Sequence, residues 1–497
     1  MYYVHKMNKL SSEQHAFFAQ IAELAFMNPF GREREQADWQ LLDLKPQAMP
    51  VNERRNLLLA KLDWQFQELT RQNRFDIRQY QGKSQGVLRL AWLVKVFSAY
   101  QQAFEDYLKA QQQAGDKALE LPFAADMIEA FERAGFTREE TAHYIALLFQ
   151  LQRAFRFIDE AVSGTSDAMI DLRKRLWNNI FTFNPEWYLN YLCNRMEDFS
   201  LLLLGETGTG KSLVAKAIGC SGYIPFDAVS RRFVESFAVS FRAINLSQYS
   251  TGVLESELFG HKKGAFTGAI DNHRGLFATC SRHGSVFIDE IGEIEISIQV
   301  KLLNVLQDRC YSPVGSREQQ RFEGRVISAT NRPIEQLMEA GQFRADFYYR
   351  LCSDVITLPS LRERISQNPD ELRELIASLL HRVIEFPEAE LVDRIEAKIQ
   401  EVVPKTYHWP GNVRELEQCI RRICITGGYQ GQPLASVTQT NIAIFEADAE
   451  GKYLSAQHLL QAYCRFLYDQ HNSYETVARI ANLDRRTVKK YIDLGDV

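Results

Sequence analysis

Gly205-Glu206-Thr207-Gly208-Thr209-Gly210-Lys211-Ser212 follows the apolar run Phe199 to Leu204 and leads into the helix-forming stretch Leu213 to Ile218. Strand, glycine-rich loop and helix in that order form the context that the pattern G-x-x-x-x-G-K-[ST] requires. Its glycines let backbone N–H groups turn inward around phosphate oxygens with no Cβ in the way. Lys211 then reaches the β- and γ-phosphates of a nucleoside triphosphate, and the Ser212 hydroxyl is placed to ligate Mg²⁺. All eight residues, Gly205 to Ser212, are predicted nucleotide contacts on an α/β sheet.

Two further strands supply chemistry for that loop. Ser285-Val286-Phe287-Ile288 runs into Asp289-Glu290, seventy-odd residues downstream. An acidic pair there lies at the C-terminal edge of a parallel sheet, where nucleotides bind. Asp289 is predicted to hold Mg²⁺ through water, and Glu290 to polarise the attacking water. Val326-Ile327-Ser328-Ala329 ends in Thr330-Asn331. Asn331 is an uncharged hydrogen-bonding group that can sense the γ-phosphate or position the water.

Gly264-Ala265-Phe266-Thr267-Gly268-Ala269 spells GAFTGA. Its glycines permit a tight exposed loop, with Phe266 and Thr267 at the tip. An aromatic group on such a loop reads as a contact device. Phe343 to Leu351 carries Arg344 and Arg350, six apart, and Trp409-Pro410-Gly411-Asn412-Val413-Arg414-Glu415-Leu416 begins a helix after a Pro-Gly turn.

With these elements in order, and with Glu257-Leu258-Phe259-Gly260-His261 ahead of GAFTGA, residues 195 to 430 resemble the bacterial enhancer-binding proteins, the AAA+ activators of sigma-54 RNA polymerase. The resemblance implies an ATPase with Mg²⁺ as cofactor. Arg344 and Arg350 match the family's arginine fingers, which act in a neighbour's ATP site, so a homo-oligomeric ring, a hexamer, is implied. Arg414 matches the sensor arginine of the helical lid. Asn245 matches the switch asparagine that holds the acidic glutamate, although Cys220 to Phe241 is longer than the usual family spacing. Gly264 to Ala269 match the loop that rises with nucleotide state and binds sigma-54. The sequence departs from the pattern at Trp177 to Met196, which lacks the usual small-residue entry, and at Ser366-Gln367-Asn368-Pro369, where an acidic segment is typical.

Flanking regions complete a multidomain α/β organisation. Residues 1–170 read as a helical N-terminal regulatory or sensory domain: Leu93, Phe97, Tyr100, Phe104 and Tyr107 share one helical face, as do Leu148, Leu151, Phe155 and Ile158. Breaks are predicted at Gln111 to Gly115 and at Val162 to Ser166. The strand and helix alternation of a phospho-receiver is missing. A small ligand, another protein or a neighbouring subunit remain open as its partner, and so does a repressive cap. The AAA+ α/β subdomain is assigned to 171–365 and its helical lid to 366–435.

Residues 452–497 read as a helix-turn-helix. A helix over Ser455 to Tyr468 precedes Tyr474 to Ala481 and Arg485 to Ile492, which flank Asn482-Leu483-Asp484. Val477, Ile480, Ala481, Leu483, Val488 and Ile492 are expected inside. Arg485, Arg486, Thr487, Lys489 and Lys490 then face DNA, with Arg486 and Thr487 as candidates for base edges and Lys489 and Lys490 for phosphates. This tail resembles the Fis-like DNA-binding domain that ends many such activators, which implies upstream enhancer DNA as a partner.

A net charge of −5 gives no overall basic signature, so any nucleic-acid contact must be local. Eight cysteines without a C-x-x-C pair suggest reduced core residues rather than a zinc site or disulfide framework. Met1 to Lys6 lacks a signal-peptide pattern and no apolar run approaches spanning length, so a cytoplasmic protein with no membrane partner is expected. The leading expectation is a sigma-54-dependent transcriptional activator. An AAA+ remodeller of a different client, with its tail as a docking module, is the alternative. A repressor with a dead ATPase fits poorly, because Lys211, Asp289, Glu290, Arg344 and Arg350 are all present.

Overall fold

The computed structural model describes residues 8–45, 49–71, 75–384, 388–404, 407–429, 460–461, 463–465, 467–468 and 473–493. Met1–Tyr429 form one compact unit and Gln430–Val497 a second. Met1 to Lys6 and the predicted helix start at Ser455 lie outside the described residues.

Five parallel strands organise the first unit: β1 (Leu201–Leu204), β2 (Phe241–Asn245), β3 (Ser285–Asp289), β4 (Arg325–Thr330) and β5 (Asp354–Thr357). Their order is β2-β3-β4-β1-β5. β4 is buried along its whole length, as befits a strand covered on both faces. Leu204 pairs with Thr330 and Thr357, and Asn245 with Asp289, so the chemistry-bearing strand ends share one edge.

The predicted helical N-terminal region contains, among the described residues, helices Ser12–Phe26, Arg32–Leu42, Val51–Thr70, Gly82–Ala114, Ala124–Arg133 and Arg138–Ala161. A further helix, Asp167–Phe181, runs through the expected domain boundary at 170. The predicted stripes face inward at Leu93, Phe104, Tyr107, Leu148 and Ile158, whereas Phe155 is partly exposed and stacks on Phe30 at 5.1 Å. Helix Gly82–Ala114 ends at Gly115, whose φ of +62° suits glycine.

These helices share a continuous core with the sheet. Arg153 is fully buried and donates to the carbonyls of Cys220 and Gly222, at 2.8 Å each, just beyond helix Lys211–Gly219. A cation there meets the negative end of the helix dipole. Burial lowers its pKa to about 10, so it stays charged at neutral pH. The long Cys220 to Phe241 segment holds a two-stranded hairpin, Phe226–Asp227 with Arg232–Phe233. Phe233 lies 4.6 Å from the Phe149 ring, so the extra residues form a platform for helix Arg138–Ala161.

The lid comprises helices Leu361–Gln367, Glu371–Val383, Ala389–Val402 and Asn412–Thr426 around Ile376, Leu380, Trp409 and Leu416. Helix Leu361–Gln367 spans the expected boundary at 366. Residues 430–435 of the expected lid lie outside the described residues.

In the second unit, helices Tyr474–Ala481 and Arg485–Asp493 flank Asn482, which adopts φ +53°. Cys464, Leu467, Val477 and Val488 form its core. Ile480, expected inside, is 43% exposed. The inward stripe of this helix is Tyr474, Val477, Ala478 and Ala481, and Ile480 falls beyond its edge.

All eight cysteines are free; Cys193, Cys220, Cys419 and Cys464 are buried, but Cys424 is exposed, contrary to a uniform core reading. Among the described residues no helix is long and apolar enough to cross a membrane.

Candidate nucleotide site and effector loop

Three positive-φ glycines, Gly205, Gly208 and Gly210, shape the loop after β1. Gly210, at φ +100°, turns the chain into the helix that starts at Lys211. Gly208, at φ +82°, has no room for a side chain, because a Cβ would sit 2.2 Å from the Gly411 carbonyl oxygen of the lid. Lys211 is buried, and its Nζ donates to the carbonyls of Gly205 at 2.8 Å and Glu206 at 3.1 Å. Burial lowers its pKa, opposed by Glu290 and Asp289. Thr209 Oγ1 donates to the Glu206 carbonyl at 2.9 Å, which closes the turn.

Ser212 Oγ lies 3.4 Å from Asp289 Oδ2. A hydroxyl and a carboxylate are hard oxygen donors of the kind Mg²⁺ takes. Glu290 follows at φ +58°, a left-handed conformation that a non-glycine residue adopts at a cost. Its Oε2 is buried with no hydrogen-bond partner, an acceptor held in reserve. Burial, and then the Asp289 charge, raise its pKa above the usual glutamate value. Asn331 Nδ2 donates to Thr207 Oγ1 at 2.9 Å, which ties the end of β4 to the loop. Asn245 stands opposite Asp289 in register, and its Oδ1 accepts from Ser247 N at 3.0 Å and Ser247 Oγ at 2.6 Å.

The lid closes on the same loop. Arg362 pairs with both carboxylate oxygens of Glu206, and that hydrogen bond holds the Glu206 pKa down. Asn412 Nδ2 donates to Glu206 Oε2 and to the Thr207 carbonyl, both at 3.1 Å, while its Oδ1 accepts from Leu361 N at 2.8 Å. Arg414 packs beside Gly208 and its charge is felt at Lys211. Neither Arg362 nor Asn412 was expected to act here. The only signal was their place in the short polar runs Leu361-Arg362-Glu363-Arg364 and Pro410-Gly411-Asn412.

Arg344 and Arg350 stand apart from this cluster. Arg344 immediately precedes helix Ala345–Leu351 and grips Asp346 through two bonds of 3.0 and 2.7 Å. Arg350 Nε donates to the Leu306 carbonyl at 3.1 Å.

The Gly264 to Ala269 loop is pinned at its neck by Gly264 N donating to the Ala269 carbonyl at 2.8 Å, with φ +81° at Gly264 and +101° at Gly268. Phe266 is 46% exposed and meets the His261 ring edge-on at 4.9 Å. His261 is bridged to His273 and Val314, which braces the loop's base while its tip stays open.

In the tail, Arg485, Arg486, Lys489 and Lys490 are exposed and Thr487 is half-buried. Asp484 Oδ1 accepts from Arg486 N at 2.8 Å and from Thr487 N at 3.0 Å, and the Thr487 hydroxyl is bonded to the same carboxylate.

Family models match this chain twice: the Sigma-54 interaction domain over residues 192–357 and the AAA+ ATPase lid domain over residues 366–436. The Sigma54-dependent transcriptional activator SfnR of Pseudomonas putida is 38% identical over 280 residues, 56% of this chain and 71% of SfnR. The hydrogenase transcriptional regulatory protein HoxA of Bradyrhizobium diazoefficiens is 41% identical over 299 residues, 58% of each chain. The DNA-binding transcriptional regulator NtrC of Rhizobium meliloti is 39% identical over 226 residues, 46% of this chain and 43% of NtrC. The chain thus spans less than two thirds of HoxA and of NtrC. Identity of this extent to SfnR, with models that cover the sheet and then the lid, makes the chain a member of the sigma-54-dependent transcriptional activators, built on an AAA+ ATPase domain.

Proposed function

We propose that this protein hydrolyses ATP in a homo-oligomeric ring, a hexamer, and uses the cycle to remodel the closed complex of sigma-54 RNA polymerase while its tail holds upstream enhancer DNA. One observation carries the reading: Phe266 is 46% exposed on a glycine-necked loop, in the same compact unit as the sheet edge that gathers Lys211, Asp289, Glu290 and Asn331.

Lys211 and the N–H groups of Gly205 to Ser212 bind the phosphates, and Glu290 takes the proton side of the attacking water. Ser212 and Asp289 hold Mg²⁺, which supplies charge neutralisation on the phosphate oxygens. Asn331 positions groups around the transferring phosphate, and Arg414 reports nucleotide state to the lid. Arg344 and Arg350 act in the neighbouring subunit's site, and the Asn245 amide NH2 holds Glu290 until the γ-phosphate is in place. Gly264 to Ala269 contact sigma-54. Arg485, Arg486, Lys489 and Lys490 form the DNA face of a helix-turn-helix, and Thr487 holds the start of the same helix through Asp484. The division into 1–170, 171–365, 366–435 and 452–497 belongs to this proposal.

The test is capture of purified sigma-54 by the full-length protein with ADP and aluminium fluoride against ADP alone. Capture only with the transition-state mimic, and its loss in Phe266→Ala with ATPase activity retained, supports the reading. An active ATPase that captures nothing in either state points instead to an AAA+ remodeller of another client.

A further inference from the structure

We propose that Glu371 is a positioning residue for nucleotide turnover, tying segment 163–166 to the lid helix that holds the phosphate loop. The proposal rests on the ATPase reading above and adds a route by which the N-terminal helices act on it.

Segment 163–166 joins helix Arg138–Ala161 to helix Asp167–Phe181. Thr165 N and Ser166 N both donate to Glu371 Oε2 at 2.9 Å. Arg364 donates to Glu371 Oε1 at 2.7 Å and to the Ser163 carbonyl at 2.6 Å. The Arg364 and Glu371 side chains are 5% and 0% exposed. Gly164, at φ +121°, lies so close that a Cβ would stand 2.0 Å from Glu371 Oε1. Two more bonds flank the clamp: Asn368 Nδ2 to Thr165 Oγ1 at 2.8 Å, and Ala168 N to Gln367 Oε1 at 2.9 Å. Gln367 and Asn368 lie in the segment that departs from the family's acidic pattern, so the departure coincides with the contact.

The clamp's location gives it leverage. Arg364 belongs to helix Leu361–Gln367, and the same seven residues carry Arg362, which grips Glu206, and Leu361, whose N–H is held by Asn412. Within the same strap, Arg153 fixes helix Arg138–Ala161 to the sheet side through the Cys220 and Gly222 carbonyls. The N-terminal region therefore straps the sheet to the lid. Rotation of the lid away from the loop has to pull apart a buried, fully paired carboxylate, and leaving such a charge unpaired is strongly unfavourable. Any ligand that prefers one lid orientation is then coupled to the clamp, and the coupling is reciprocal.

In the full-length protein, Gly164→Ala forces the clamp open by steric conflict without removing either partner, and Glu371→Gln removes the charge. Both are expected to raise the KM for ATP at least threefold with a smaller change in kcat. Amide exchange gives a readout independent of turnover: ADP should slow exchange at Thr165 and Ser166 in the wild type, and Arg362→Ala should abolish that slowing at saturating ADP. KM within 1.5-fold of wild type in both folded variants, or ADP protection that persists in Arg362→Ala, overturns the proposal. A wild type that binds ADP but hydrolyses no ATP refutes the ATPase reading instead, while the exchange experiment still decides the clamp. If neither substituted clamp variant folds, the Arg362→Ala exchange result decides alone, because that substitution leaves every atom of the clamp in place.

Discussion

The Asn331 carboxamide and the Thr207 hydroxyl meet at 2.9 Å, so the end of β4 and the crest of the phosphate loop move as one hydrogen-bonded unit. Thr207→Val keeps the side-chain shape and deletes this bond. A net contribution of about 1 kcal/mol from a neutral hydrogen bond corresponds to a loss of roughly fivefold in kcat. Asn331→Ala should lose more if, as proposed, Asn331 also positions groups around the transferring phosphate. Steady-state ATPase assays separate the two, and equal losses would mean that Asn331 acts only by holding Thr207.

Glu290 has a raised pKa and a buried oxygen with no partner, and both features suit a base that must find its water. As a base it works ionised, so kcat should fall with acid at a pH above the ordinary glutamate value of 4.5. The stability effect has the opposite slope. The folded state holds this proton more tightly than the unfolded chain, so stability falls as pH rises from 4.5 through the raised pKa, and at neutral pH the carboxylate is a net cost. Glu290→Gln should therefore melt no lower than wild type near pH 7 while hydrolysing ATP ~10² to 10⁴-fold more slowly. A lower melting temperature together with near-normal turnover would remove Glu290 from its role.

Legibility in the sequence followed distance along the chain. The phosphate loop, β3 with Asp289-Glu290 and β4 with Asn331 are each a local pattern, and the structure has them at one sheet edge. β2 escaped because Phe241 to Asn245 alternates too weakly: only Ile244 among its five residues is buried. Arg153 is one charge on helix Arg138–Ala161, and nothing local tells that its partners are the carbonyls of Cys220 and Gly222. Glu371 is equally anonymous among the charges of Glu371 to Glu374. The excess length of Cys220 to Phe241 was visible, but its use as a platform for Phe149 depends on residues over 70 positions away.

Arg344 is exposed and parked on Asp346, and Arg350 is bonded to the Leu306 carbonyl, so both are engaged away from the phosphate loop. Ring assembly that presents them to a neighbour predicts complementation. Arg344→Ala alone should lower hydrolysis by ~10³ or more, the range of an arginine finger. Mixed with Lys211→Ala, it should regain part of the rate, because some interfaces then pair an intact finger with an intact loop. ATPase activity measured across mixing ratios checks this, and a flat zero at every ratio would rule out a shared site.

Thr487 was expected to read a base edge, yet its hydroxyl and N–H are both committed to Asp484 at the start of helix Arg485–Asp493. Asp484 is the capping residue, and the hydroxyl bond that Thr487 adds to it contributes about 1 kcal/mol. Thr487→Ala should thus lower the thermal stability of the C-terminal unit and weaken all DNA sites alike. Arg486, exposed at the head of the same helix, should instead carry preference, and its loss should cost ~1 to 3 kcal/mol at one base pair only. Lys489→Ala should leave preference unchanged and reduce the slope of log K against log salt by roughly 0.9, the signature of one phosphate contact. Titrations of a bound and a scrambled duplex at several salt concentrations distinguish these three outcomes. A Thr487→Ala protein that keeps its stability but changes its preferred base would return Thr487 to the recognition surface.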